Sequence, residues 1–97
     1  MYRVVIDDLV LKKDFKKIDL QDQRKILRVI RRKLTMKPKD YGIPLRAGLE
    51  GFRKLKVGES RVIYEIEEDQ VLVYVIIVGF RRDEEMRRAA LLRLGLA

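Results

Sequence analysis

The sequence predicts an α+β fold with the element order β-α-α-β-β-β-α, in which a helical hairpin packs on a mainly antiparallel sheet of about four strands. Three observations lead to this prediction. A short β-branched segment opens the chain, two segments with helical spacing of apolar residues follow it, and three strand-like segments succeed one another in the second half. The length of 97 residues fits one domain spanning residues 1–97.

The first strand and the first helix are predicted near the start of the chain. Residues 2–6 are mostly β-branched and apolar, which is typical of a strand. Asp7 or Asp8 follows and can cap a helix, because a short acidic side chain accepts hydrogen bonds from the first unpaired backbone N–H groups. Lysines occupy the other sides of this helix. Its apolar residues recur at i, i+4 and i+7 on one face: Leu11, Phe15 and Ile18.

A second helix is predicted to begin after Asp19, a candidate N-cap, with Asp22 three residues later in the manner of a capping box. Pro38 ends the helical region because proline cannot continue a helix. The apolar stripe of this helix consists of Ile26, Leu27, Ile30 and Leu34. Its other face carries the basic residues Arg24, Lys25, Arg28, Arg31, Arg32 and Lys33. A basic helical face is more often solvated than a binding site.

Three strands are predicted after a glycine- and proline-containing loop over residues 38–51. The run 52–57 is bounded by a glycine, and the run 61–67 ends in an acidic turn. The run 71–78 is apolar at both alternating sets of positions. We therefore expect it at the centre of the sheet, where both of its faces are covered.

A final helix is predicted after the last strand. Asp83 can cap it, and Glu84 and Glu85 lie in its first turn, where the helix dipole favours acidic side chains. Its inner face is predicted to consist of Met86, Ala89, Ala90 and Leu94.

The composition is strongly basic, with a formal net charge of +8 and a pI near 10.0. A polyanion such as a nucleic acid is the natural partner of such a charge, although a well-solvated surface is the simpler alternative. Histidine and cysteine are absent, so histidine-based catalysis, thiol nucleophiles and disulfides are excluded. Any chemistry must come from lysine, arginine, tyrosine, serine or the acidic residues.

Two further expectations concern the protein's environment. Charged residues make up 39% of the chain and asparagine does not occur, which is typical of a thermophile. No signal peptide is recognisable, and the longest apolar run, 71–79, is too short to cross a bilayer. We therefore expect a soluble, cytoplasmic protein with no membrane contact.

Period-two alternation sorts the basic residues of the strands. Lys54 and Lys56 share one face of their strand and lie about 7 Å apart, a spacing suited to one phosphate region. The alternative is that they are solvated or only protect an edge strand from aggregation. The next strand is expected to direct Val62, Tyr64 and Ile66 into the core and Arg61, Ile63 and Glu65 to the opposite face. Arg61 and Arg81 can converge with the lysines only if the strand registers allow it.

Two motifs resemble the RelE/ParE superfamily of toxins. The stretch 54–66, Lys-Leu-Lys-Val-Gly-Glu-Ser-Arg-Val-Ile-Tyr-Glu-Ile, resembles the basic strand, glycine turn and "R-V-I-Y" strand of that family. The stretch 78–83, Val-Gly-Phe-Arg-Arg-Asp, resembles its "V-G-H-R" element. Together with the order of elements, this resemblance spans nearly the whole chain. It implies the RelE-like fold, which is similar to that of compact microbial ribonucleases.

The resemblance also implies an activity. RelE-type toxins cleave mRNA in the ribosomal A site with basic residues and no cofactor, through attack of the 2′-hydroxyl on the adjacent phosphate. By position, Lys54 and Lys56 match the basic pair, one of them a candidate general base. Arg61 matches the arginine that holds the phosphate, and Arg81 the arginine near the leaving group. The remaining candidate RNA-binding residues are Arg53, Arg82 and Arg87.

The resemblance implies partners and leaves alternatives open. The family implies a RelB-like antitoxin as partner, in a heterotetramer or a larger complex, besides the ribosome and mRNA. Phe80 stands where many relatives have histidine, and the tyrosine found shortly after the second motif is missing. Both departures favour the ParE branch, which inhibits DNA gyrase without catalysis, or a weakly active RelE homologue that mainly binds its antitoxin. A plain RNA-binding module is a third reading, although such domains place a helix first.

Overall fold

The computed structural model describes residues 1–96 and shows a five-stranded mixed sheet with the order β1-β5-β4-β3-β2. β1 (Arg3–Ile6) pairs in parallel with β5 (Leu72–Gly79), and the remaining pairings are antiparallel. The strands between them are β2 (Ile43–Pro44), β3 (Phe52–Val57) and β4 (Ser60–Glu67). The predicted α+β class is confirmed. The fifth strand is β2, which lies inside the predicted loop and pairs with β3.

The helical hairpin contains tighter and wider turns than the sequence predicted. Its first arm is a π-helical turn, Val10–Asp14, followed by a 3₁₀ turn, Phe15–Lys17. Its second arm is α1 (Leu20–Val29), which continues as a π-helical turn, Ile30–Leu34. The predicted cap of α1 is confirmed, because the Asp19 carboxylate accepts a hydrogen bond of 2.8 Å from the Asp22 N–H.

Helices cover both faces of the sheet. The hairpin packs on the face that carries Leu55, Val62 and Val75. The last helix, α2 (Asp83–Arg93), packs its buried residues Met86 and Ala90 on the other face. β5 lies between β1 and β4 and is buried on both faces, which confirms its prediction as an interior strand covered on both sides. Within residues 1–96, no helix is long and apolar enough to cross a membrane.

The loop before β3 is held beside the sheet by Tyr64, whose side chain is fully buried as predicted. Its hydroxyl oxygen lies 2.8 Å from the backbone oxygen of Pro38 and 2.6 Å from that of Tyr41, and its single hydrogen is shared between these two acceptors. Gly42 follows with φ +70°, and a Cβ there would lie 2.8 Å from the Tyr64 hydroxyl and from the Lys54 backbone oxygen. Only glycine fits this position, and it brings β2 against β3.

Candidate functional site

The register of β3 and β4 brings three predicted catalytic residues together. Lys56 is directly opposite Arg61, and Lys54 is opposite Ile63. Because directly opposed residues of an antiparallel pair project to the same side, these basic residues share the face on which α2 packs. They lie in an open cleft of about 400 Å³. The cleft is lined by Gly42, Ile43, Lys54, Leu55, Lys56, Arg61 and Asp83.

The start of α2 reaches this cleft because Gly79 lets α2 approach the sheet. Gly79 is opposite Arg61 in the neighbouring strand. A Cβ at Gly79 would lie 3.1 Å from the Met86 Sδ, closer than most side chains tolerate. The missing side chain therefore allows the first turn of α2 to lie next to Arg61, with Asp83 as its first residue.

Two cations of the cleft converge on one carboxylate oxygen. The Lys54 Nζ lies 2.8 Å and the Arg61 Nε 2.6 Å from the Asp83 Oδ1. The Lys54 and Arg61 side chains are only 13% and 15% exposed, whereas the Asp83 side chain is 64% exposed. Two hydrogen bonds hold the pKa of the Asp83 carboxyl below its ordinary value, the stronger effect coming from Lys54 and the weaker from Arg61.

The predicted role of Asp83 as a helix cap is wrong. The residue that precedes α2 is Arg82, and no side chain caps this helix end. Asp83 lies inside the first turn, and its carboxylate points to the sheet because two cations offer it charge-assisted hydrogen bonds there.

Lys56 differs from its neighbour Lys54 in its surroundings. Its side chain is exposed. Among residues 1–96, no acidic side chain lies within salt-bridge distance of it. Lys56 is thus the lysine of the cleft whose amine is not held by a carboxylate in the described part of the chain.

Arg81 does not line this cleft. It is exposed and follows the end of β5, where it lines a separate depression between the hairpin and α2. Lys13 and Lys17 of the first hairpin arm line the same depression. The structure therefore brings three of the four predicted catalytic residues together and places the fourth in a second basic depression. The sequence did not predict that Asp83 lies beside Lys54 and Arg61, or that Lys13 and Lys17 lie beside Arg81.

The three predicted RNA-binding arginines have separate surroundings. Arg53 projects to the hairpin face, where its guanidinium donates to the backbone oxygens of Tyr41 and Gly42, both at 3.1 Å. Arg87 pairs with Glu84 and also donates to a loop carbonyl at 3.1 Å. Arg82 is exposed at the start of α2. Of the three, Arg82 is the one whose guanidinium is not engaged within residues 1–96.

Phe80 lines a depression between α1 and the turn that joins β3 to β4. Its side chain is 43% exposed. Within residues 1–96, no group of three or more acidic, histidine or cysteine side chains is placed to bind a metal ion.

Solved structures with this fold include several toxins. The toxin–antitoxin complex RelBE2 from Mycobacterium tuberculosis contains a chain that is 24% identical, with a TM-score of 0.76 over 82% of this chain and 98% of that chain. The intact E. coli RelBE toxin–antitoxin complex contains a chain that is 23% identical, with a TM-score of 0.70 over 84% of this chain and 99% of that chain. The isolated E. coli RelE toxin is 22% identical, with a TM-score of 0.69 over 97% of this chain and 99% of that chain.

These similarities establish a shared fold. No curated protein matches the sequence. The sequence model of one family, described as the ParE toxin of the type II toxin–antitoxin system parDE, matches residues 4–85. Because this match covers most of the chain and agrees with the fold, the chain belongs to the ParE toxin family of type II toxin–antitoxin systems, within the RelE/ParE superfamily.

Proposed function

We propose that this toxin inhibits translation by cleaving mRNA on the ribosome, with the basic cleft on the α2 side of the sheet as its active site. The observation that carries the proposal is the juxtaposition of Lys54, Lys56 and Arg61 on one sheet face. A cleft with two lysines and an arginine can bind a phosphodiester and stabilise the charge that develops on it during cleavage.

The residues divide the chemistry among them. In the reaction, a bond forms between the 2′-oxygen and phosphorus while the bond from phosphorus to the 5′-oxygen breaks. The 2′-hydroxyl gives its proton to a base, and the departing 5′-oxygen takes up a proton from water. Lys56 is the preferred general base, because Lys54 and Arg61 converge on one oxygen position and are placed to hold the phosphate together, whereas Lys56 has no carboxylate partner within residues 1–96. Arg61 and Lys54 then hold the phosphoryl oxygens.

Arg81 lies outside the cleft, so its role differs in kind. It is placed beyond the end of β5 with Lys13 and Lys17 beside it. We propose that these residues contact the RNA backbone where the strand leaves the cleft, on the side of the departing 5′-oxygen. Arg82 is exposed and stands in the chain between Arg81 and Asp83, so we propose that it contacts the same strand.

We further propose an antitoxin as the protein partner. Two of the structures with this fold are toxin–antitoxin complexes, and a third contains a RelE toxin variant with a peptide of the antitoxin RelB. The net charge of +8 favours an acidic or amphipathic partner of the RelB type. A complex of two toxins and two antitoxins, or a larger one, is the expected assembly.

A primer-extension assay on a defined mRNA in a reconstituted translation system tests the nuclease. We expect discrete cuts that require ribosomes and that are lost in Lys56→Ala and Arg61→Ala. Lys16→Ala is the matched control, because it removes the same charge at an exposed position of the hairpin. Cuts that persist in both cleft variants would contradict the assignment of the site.

A second candidate function is inhibition of DNA gyrase by binding, as the resemblance to the ParE branch implies. Two observations favour it: the matching family model is that of ParE, and Arg81 lies apart from the cleft lysines. If translation proceeds undisturbed without cuts, a gyrase supercoiling assay is the next measurement. Under this candidate, inhibition should survive the double replacement of Lys54 and Lys56.

A further inference from the structure

The proposed phosphate-binding cations already hold an anion that belongs to the protein. The Asp83 Oδ1 accepts from the Arg61 Nε at 2.6 Å and lies 2.8 Å from the Lys54 Nζ. Arg61 uses a further nitrogen, Nη1, to donate to the Glu59 backbone oxygen at 3.3 Å. Within residues 1–96, neither cation has another acidic side chain within salt-bridge distance.

A phosphate oxygen would need the same donors. Carboxylate and phosphate oxygens both accept short, charge-assisted hydrogen bonds from lysine and arginine, at about 2.7–2.9 Å. The Asp83 Oδ1, at 2.6 Å and 2.8 Å from the two nitrogens, is as close to them as a charge-assisted hydrogen bond allows and therefore fills the position that the phosphate oxygen would take. The two anions would also repel each other if both were present.

We infer that Asp83 is an internal occupant of the phosphate subsite between Lys54 and Arg61, and that an RNA phosphate binds there by displacing this carboxylate. This inference rests on the proposed function in one respect, namely that the cleft receives an RNA phosphate. It adds a competing group that lowers the affinity of the free toxin for RNA.

The position of Asp83 makes the displacement possible without unfolding. Its side chain is 64% exposed, so rotation about its own bonds can release the carboxylate into solvent. Asp83 also lies in the first turn of α2, where the helix dipole favours a negative charge even after the contact is lost. The cost of release is therefore small, and the competition is expected to reduce the affinity for RNA by about fivefold, the upper end of the range for an ion pair with one exposed member.

Binding of a non-cleavable ligand tests the inference separately from catalysis. We would measure the Kd of a labelled 2′-O-methyl RNA oligonucleotide by fluorescence anisotropy for wild type, Asp83→Asn and Glu85→Gln. Glu85→Gln is the matched control, because Glu85 is an exposed residue of the same helical turn and lies outside the cleft. Asp83→Asn should lower the Kd by about fivefold, whereas Glu85→Gln should change it less than twofold.

A second measurement distinguishes a phosphate from the rest of the RNA. Inorganic phosphate is titrated into each variant while the NMR signal of the Arg61 Nε–H group is followed. The signal should shift at lower phosphate concentration in Asp83→Asn than in wild type. Asp83→Ala should behave like Asp83→Asn, and circular dichroism verifies that both variants are folded.

Three results would overturn the inference. Equal gains in Asp83→Asn and Glu85→Gln would show only a general effect of net charge. Weaker binding in Asp83→Asn would show that the carboxylate supports the ligand, and unchanged binding of both probes would show that it does not compete. The outcome is separable from that of the proposed function. If Asp83→Asn binds phosphate more tightly but the toxin cleaves no mRNA, the inference stands and the nuclease proposal fails. If the toxin cleaves mRNA but Asp83→Asn binds phosphate as wild type does, the nuclease proposal stands and the inference fails.

Discussion

A buried ion pair between the hairpin and α2 provides the most direct test of what holds the two layers together. The Arg93 Nη1 and Nη2 donate to the two carboxylate oxygens of Asp14, at 2.7 and 2.9 Å. Asp14 also accepts from the Val78 N–H at 2.9 Å, and Arg93 donates to the Ile76 backbone oxygen at 3.1 Å. The two side chains are only 7% and 12% exposed.

Replacing Asp14 with alanine would remove the counter-ion of Arg93 and the hydrogen-bond acceptor of the Val78 N–H. The Arg93 guanidinium would stay largely shielded from solvent. Breaking a buried pair in this way costs about 3–5 kcal/mol in the free energy of unfolding. For a domain of this size, about 3 kcal/mol corresponds to a fall in Tm of roughly 12–24 °C.

Urea denaturation and thermal melts measure the loss. The double variant Asp14→Leu with Arg93→Met should lose less stability than Asp14→Ala, because it removes both charges instead of stranding one. Lys39→Ala is the control, because it breaks an exposed ion pair between Lys39 and Glu68. It should lower the free energy of unfolding by at most about 1 kcal/mol. A loss for Asp14→Ala no larger than that for Lys39→Ala would refute the reasoning.

Three further predictions concern the loop and the opposite edge of the sheet. Tyr64→Phe removes the donor shared by the buried Pro38 oxygen and the partly buried Tyr41 oxygen, and it should lower the free energy of unfolding by about 1–3 kcal/mol in urea. Tyr41→Phe is the control, because the Tyr41 hydroxyl makes no hydrogen bond within residues 1–96, and its effect should stay within about 0.5 kcal/mol. Gly42→Ala should cost about 1–3 kcal/mol in the same assay, because φ is +70° and the Cβ would lie 2.8 Å from the Tyr64 hydroxyl; a neutral result would contradict the described loop. The Asp7 carboxylate accepts a hydrogen bond from the Tyr74 hydroxyl, and this contact raises the pKa of Tyr74 to about 12. Because the pKa of tyrosine in the unfolded chain is about 10, the contact contributes its full stability below pH 10 and loses it as the pH rises towards 12. The free energy of unfolding, measured from pH 9 to 12, should therefore fall less steeply with pH in Tyr74→Phe than in wild type. Equal slopes in the two proteins would count against this contact.

Local patterns in the sequence were sufficient wherever the deciding physics is local. Period-two alternation correctly placed Lys54 and Lys56 on one face of their strand and Arg61 on the face of its own strand opposite to Val62, because successive side chains of a strand must point to opposite sides. The register that brings Arg61 to the lysines was not predictable from this alternation. The cap at Asp19 followed from its spacing to Asp22. The doubly apolar run of β5 indicated burial on both faces, and the whole order of elements followed, apart from β2.

The sequence thus determined the class of fold, the faces of the strands and the basic character of the cleft, whereas the tertiary structure decided which charges meet. Asp83, which the sequence predicted as a helix cap, is the partner of Lys54 and Arg61, because α2 packs on the sheet beside Gly79. Arg81 came to lie with Lys13 and Lys17 because the chain leaves the end of β5 towards the hairpin. Such meetings depend on strand register and helix placement between residues far apart in the chain, and no local period encodes them.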